Sequence, residues 1–232
     1  MSKPTSLHQR LLDEWGMGIV AGTYPVGSRI SVDAGGSGVQ ASRTISREAV
    51  RVLEAMGMVN VKRRVGATVN PQEAWHVFDP LLIGWRLRGP DPTRQLMWLA
   101  ELRIAVEPAA ALLAAARATP EQWTALTKAA LGLVAHSREA DGEAYAQFDA
   151  SFHKTLLGAS GNPMFAALGK VVAEVLRGRA GRGLAPVIAN PRVVRWHVDL
   201  AGAVQAGDSS TAAAAARAIV EESDEAIEAT EP

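Results

Sequence analysis

The chain has 232 residues, with 24 Lys and Arg against 24 Asp and Glu, 48% hydrophobic and 21% charged residues, and no cysteine. The charge balance argues against a wholly basic nucleic-acid coat and against an acidic solvating tail, and the apolar content argues against global disorder. A disulfide scaffold, a thiolate zinc site, a cysteine-ligated iron–sulfur cluster and a cysteine nucleophile are excluded, and a reducing, cytoplasmic setting is the expectation.

The first residues, MSKPTSLHQRLLDEWG, place charges where a secretion signal needs an apolar core. No apolar run approaches the roughly 20 residues of a membrane span, so no membrane partner is expected. The zero net charge is itself a sum. Residues 1–75 hold nine Lys/Arg against six Asp/Glu, a net +3, and the rest of the chain the compensating −3. Residues 41–70 alone carry six basic residues against Glu48 and Glu54, a net +4. A basic module joined to an acidic one is the arrangement of a nucleic-acid-binding unit with a second function attached.

Leu7, Leu11, Leu12, Trp15 and Ile19 recur at helical spacing, which predicts an amphipathic helix over 6–21. Gly22, Pro25 and Gly27 end it. Residues 33–40, DAGGSGVQ, are Gly-rich; each interior glycine costs about 0.5–1 kcal/mol in a helix, so any helix there is short or frayed. Ser42 is a good N-cap for a helix ending at Gly57. Ile45, Ala49, Val50, Leu53 and Met56 form its inner face, while Arg43, Arg47 and Arg51 repeat every four residues on another. Two short β-branched runs around Val65-Gly66 then read as a hairpin with a basic tip.

Beyond Pro71 the pattern is helical: a short helix at 73–88 closed by Gly89-Pro90-Asp91-Pro92, then helices near 93–117, 120–138, 141–158, 163–180, 190–206 and 209–229. Trp75, Trp85 and Trp98 flank the junction and read as packing between domains.

Helix, turn, helix and basic hairpin is the order of a winged helix-turn-helix. Such a helix enters the major groove, where Arg suits guanine edges and phosphates, and a Gly-tipped wing approaches the DNA backbone closely. The run from Ala41 to Val69 resembles the DNA-binding domain of the GntR family of bacterial transcriptional regulators. Ser42-Arg43, Arg47-Glu48-Ala49, Leu53-Glu54, Gly57-Met58-Val59, Lys62-Arg63 and Gly66-Ala67 carry the likeness. It implies that Arg43, Thr44, Arg47, Arg51, Arg63, Arg64 and Gly66 meet a palindromic double-stranded operator as part of a homodimer.

In the second half, Asp149 and His153 are four apart, hence on one helix face, and His197 follows on a later helix. Carboxylate plus imidazole suits a divalent cation such as Zn, Mn or Ni. Here the layout resembles the all-helical FCD ligand-binding domain of FadR-type members of the same family. The matching residues are Glu101-Leu102-Arg103, Glu107-Pro108, Asp149, Phe152-His153, Gly161-Asn162-Pro163, His197 and Gly207-Asp208. The resemblance implies a metal on Asp149, His153 and His197, and an effector held by these three and Arg103. Many relatives have a third histidine on the last helix; that place falls at or near Ile219 here, leaving a three-ligand site. Asp79 to Trp85 and Arg103 to Pro108 look most like the galactonate-responsive repressors within the subfamily.

The expected fold is thus mainly α. Residues 1–72 form a winged helix-turn-helix with a small β-hairpin wing, 73–92 a linker helix, and 93–232 an all-helical antiparallel bundle that binds the effector. The expected function is a repressor of genes for sugar-acid or other carboxylate catabolism. The rival is a metal-dependent hydrolase or lyase using the Asp/His cluster, though no obvious general base accompanies it. DAGGSG lacks the Gly-Lys-Ser/Thr of a phosphate loop, and no HExxH occurs.

Overall fold

The computed structural model describes residues 6–31, 41–62, 66–178, 180 and 185–228. The chain splits into two compact units, Met1–Asp91 and Pro92–Pro232. The Gly-rich segment 33–40 lies outside the described residues.

In the first unit, α1 (Leu7–Val20) is started by Ser6, whose hydroxyl accepts from the Gln9 amide at 3.2 Å. It buries Leu11, Leu12, Trp15 and Ile19. After β1 (Arg29–Ile30), Ser42 caps α2 (Arg43–Ala55) in the same way, accepting from the Ile45 amide at 3.4 Å. Ala49, Val50, Leu53 and Met56 are buried as the spacing requires, and Ile45 is half-buried. Gly57, at φ +72°, turns the chain out of the helix, and any side chain there would strike the Ala74 carbonyl.

The wing is β2 (Val59–Lys62) against β3 (Gly66–Val69), antiparallel, with Val59 opposite Val69 and Lys62 opposite Gly66. β1 pairs with the other edge of β3, so the sheet has three strands in the order β1-β3-β2 rather than the two of the hairpin alone. At two residues, β1 has no alternation to read; its pairing with β3 is what makes it a strand.

The single helix expected over 73–88 is corrected. A 3-10 turn occupies Gln72–Ala74, and α3 begins only at Pro80 and runs to Arg88. Proline at the first helical position lacks an N–H and disfavours helical geometry in the residue before it, and the Asp79 carboxylate accepts from the Leu81 amide at 2.8 Å. α3 packs on α1. Trp75 and Trp85 belong to this unit's core, which corrects their reading as packing between domains. Trp98 is instead exposed, with the Arg94 guanidinium 5.4 Å from its ring centroid. The Trp85 indole donates to Asp13 at 2.7 Å, and its ring lies where a Cβ on Gly16 would sit, 2.5 Å away.

The second unit contains α4 (Pro92–Arg117), α5 (Pro120–His136), α6 (Glu143–Ala159), α7 (Pro163–Gly178), α8 (Pro191–Ala206) and α9 (Ser209–Glu228). Caps set the ends: a Thr119/Gln122 capping box starts α5, Asn190 starts α8 and left-handed Gly207 stops it. α4 packs on α9, α6 and α8; α5 packs on α6 and α8; α7 packs on α6. Ala111, Ala114 and Ala115 of α4 share a core with Ala212, Ala215 and Ala216 of α9, filled by Phe152, Leu156, Leu200 and Ile219. Pro108 sits inside α4, buried, without ending it. An interior proline costs about 3 kcal/mol, so packing, not propensity, carries the helix past that point. Among the described residues, no helix is long and apolar enough to cross a membrane.

Gly16→Val tests the first unit's packing. Forcing a branched side chain into the Trp85 ring should cost about 1–3 kcal/mol, read as a lowered denaturation midpoint. An unchanged midpoint would mean that the helix contact is looser than described.

Candidate functional site

On the first unit, α2 turns its apolar face inward and leaves Arg43, Thr44, Arg47 and Arg51 exposed. Arg43 and Thr44 stand in the first turn, the part of a groove-reading helix that meets base edges. Arg51 is paired with Glu48 at 2.8 Å, an exposed contact of small energetic weight. Gly66 opens β3 at φ +94° and faces Lys62 across the ladder. Arg63 and Arg64, expected at the wing tip, lie outside the described residues. The Glu54 carboxylate, from α2, accepts from the Val61 amide of β2 at 3.1 Å and so ties helix to wing.

In the second unit, three helices bring Arg103, Asp149, His153 and His197 together. α4 supplies Arg103, α6 supplies Asp149 and His153 one turn apart, and α8 supplies His197. All four are buried. His153 Nε2 lies 3.3 Å from Asp149 Oδ1 and 3.3 Å from His197 Nε2; His197 Nε2 lies 3.6 Å from Asp149 Oδ1. Arg103 Nη2 is 2.9 Å from His153 Nε2. Phe152 sets its ring edge-on to His197, with centroids 4.8 Å apart, and so forms an apolar wall.

A backbone acceptor fixes one of the imidazoles. His197 Nδ1 is 2.8 Å from the Val193 carbonyl, which can only accept, so Nδ1 carries the proton and Nε2 the lone pair. On His153, Nδ1 is 2.7 Å from Glu107 Oε2. Glu107, whose side chain is 0% exposed, also accepts from Arg103 Nε at 2.8 Å through Oε1. Glu107 is the member of the cluster that the sequence reading missed as a site residue. It was legible only as part of a Glu-Pro pair, although its place four residues after Arg103 puts both on one helix face.

Burial pushes the Glu107 carboxyl up, but the Arg103 and His153 charges more than offset it and hold it down at about 2. Burial disfavours a charged His153, yet Glu107 raises it above the ordinary imidazole range against the opposing Arg103. For His197 burial wins, and the ring is held below that range, the neighbouring Asp149 carboxylate notwithstanding.

The donor set can be tested against a metal. Ligand atoms about 2.0–2.2 Å from one ion, at right-angled to tetrahedral geometry, lie roughly 2.8–3.6 Å apart. The three spacings here fall in that range, and their atoms are two imidazole nitrogens and a carboxylate oxygen, a set suited to Zn, Mn or Ni once the imidazoles are neutral. The residues fit a divalent cation. Ile219, at or near the place where the family resemblance implied a further histidine, is buried in the apolar core.

Residues 99–222 match the FCD domain model. The chain is 30% identical over 213 residues to the galactonate operon transcriptional repressor of Escherichia coli (strain K12), covering 91% of this chain and 92% of that protein. Among solved structures it is similar to Streptococcus agalactiae GntR, with a TM-score of 0.53 at 22% identity over 94% of this chain and 99% of that one. A Listeria monocytogenes structure, described as Lar, which controls expression of the agr system, gives a TM-score of 0.63 at 17% identity over 99% and 100%. The last two speak to the fold alone, and they share its mainly helical architecture.

Glu107→Ala would leave Arg103 buried without its carboxylate. We expect the second unit to lose about 3–5 kcal/mol, the usual cost of breaking a buried pair from one side, measured by chemical denaturation. A loss below 1 kcal/mol would show that Arg103 finds another partner.

Proposed function

Because the chain belongs to the GntR family of transcriptional regulators, with an FCD domain as its second unit, we propose that it is a cytoplasmic, homodimeric repressor. Its grip on a palindromic operator changes when a small carboxylate binds Arg103, Asp149, His153 and His197. The family is one of regulators rather than enzymes, so the hydrolase or lyase reading is set aside.

The observation that carries the effector reading is the convergence of an arginine and three potential metal ligands in one buried cluster. With neutral imidazoles, Arg103, Glu107 and Asp149 sum to one negative charge. A divalent cation on Asp149, His153 and His197 reverses that sign and supplies Lewis-acid coordination for carboxylate and hydroxyl oxygens. Arg103 offers a planar fork to a carboxylate. The relative that represses a galactonate operon supports a sugar acid as the ligand class.

The mechanism is linkage. An effector that favours one placement of the two DNA-binding units shifts operator affinity, and operator shifts effector affinity by the same factor. In the DNA-binding unit, Arg43, Thr44, Arg47, Arg51 and Gly66, with Arg63 and Arg64 of the wing, contact DNA. A two-fold dimer doubles the +4 segment and presents two recognition helices to two half-sites.

Arg47→Ala should abolish specific operator binding in a gel shift while leaving the melting curve unchanged. Wild-type affinity in that variant would remove α2 from the role of recognition helix. For the effector site, the test is thermal shift against a panel of aldonates and other carboxylates, with and without Zn, Mn or Ni. A true ligand raises stability by mass action. Arg103→Lys, which keeps the charge and loses the fork, should abolish the carboxylate shift and effector-driven operator release but keep operator binding. Release of that variant at wild-type effector concentrations would exclude Arg103 as the anchor.

A further inference from the structure

We infer that Arg103 sets the metal affinity of this cluster as a cation resident beside it, so that metal and carboxylate effector bind cooperatively. The inference rests on reading the cluster as an effector site, and it adds that neither ligand binds independently of the other.

Arg103 Nη2 is 2.9 Å from His153 Nε2 and 3.3 Å from Nδ1 of the same ring. An atom in the ring plane at those two distances would collide with a ring carbon. The end of the guanidinium therefore stands over the face of the imidazole. It lies beside the in-plane direction along which an imidazole nitrogen binds a metal, and does not fill it.

A divalent ion on Asp149, His153 and His197 thus has the guanidinium as a close neighbour of like charge. All the residues involved are buried, so water screens the two cations poorly. Glu107 offsets the repulsion only in part. Its Oε1 pairs with Arg103 Nε at 2.8 Å, and its Oε2 comes to the imidazole at Nδ1, 2.7 Å away. The guanidinium comes closest at Nε2. The cation of the pair is aimed at the nitrogen that faces Asp149 and His197, and the anion at the other. A carboxylate laid between ion and guanidinium is attracted by both and screens one from the other. Each ligand then binds more tightly in the presence of its companion, by one common factor.

The experiment is a zinc competition against a fluorescent indicator, with full-length protein stripped by chelator and held at one mildly alkaline pH. Arg103→Gln, which removes the charge, should bind zinc more tightly than wild type by about 10–100-fold, the span over which outer-sphere neighbours move metal affinity. Arg103→Lys, which keeps the charge, should stay close to wild type. A merely structural disturbance would move both variants alike. Unchanged or weaker zinc binding in Arg103→Gln, or tightening in both variants, overturns the inference. In wild type, saturating galactonate should tighten zinc binding by about 5–150-fold, the usual span of coupling between two sites, after allowance for zinc bound by galactonate itself. Arg103→Lys, without the fork, should show no such gain. The wild-type measurement stands even if Arg103→Gln does not fold. Galactonate that stabilises the zinc-loaded protein yet leaves its zinc affinity unchanged overturns the inference. Tighter zinc binding by Arg103→Gln, in a protein that no aldonate stabilises, overturns the effector reading instead and leaves the role of Arg103 at the metal supported.

Discussion

A carboxylate with no access to water must be paired, and in this protein the pairing of Glu107 organises the second unit. An unpaired buried charge costs several kcal/mol, more than most single contacts return. Glu107 avoids that cost by engaging Arg103 on its own helix and His153 on another. Those two contacts fix α4 relative to α6. Asp149 follows as the residue one turn before His153, and His197 closes the group from α8. The site is thus where the electrostatic requirements of three helices are met together.

The surroundings allow this because they are small and apolar. Alanines of α4 and α9 pack face to face, so helix backbones can approach closely without large side chains between them. Close packing leaves little freedom for the polar residues to reorient, and the rim of Phe152 keeps the imidazoles in an apolar setting. Pro108, immediately after Glu107, removes the amide that would bond the Ile104 carbonyl and so locally loosens the helical ladder beside the site. A rigid shell with one weakened turn therefore surrounds the cluster.

Most of the fold was legible because its boundaries are written in local chemistry. Ser6, Ser42, Thr119 and Asn190 start helices by accepting amide protons, and Gly207 ends one in the left-handed region. What escaped depends on partners distant in sequence. β1 is two residues whose strand character comes from β3, and the stretch 73–79 lost its helix to Asp79-Pro80. In the site, Asp149 and His153 announced themselves by spacing, and Arg103 and His197 by family pattern. Glu107 carried the same helical spacing to Arg103, but a carboxylate four residues from an arginine is ordinarily a surface pair. Only burial distinguishes it, and burial is a property of the assembled unit.

The hydrogen bond from the Val61 amide to Glu54 has a consequence for how such a protein diversifies. It joins the helix bearing Arg43 and Arg47 to the strand leading into the wing, a direct link between the two. New side chains at exposed positions of α2 can then change which surface is presented without re-registering the wing beside it. Replacing an exposed side chain of α2 leaves the tie between Glu54 and the wing intact, whereas replacing Glu54 removes it.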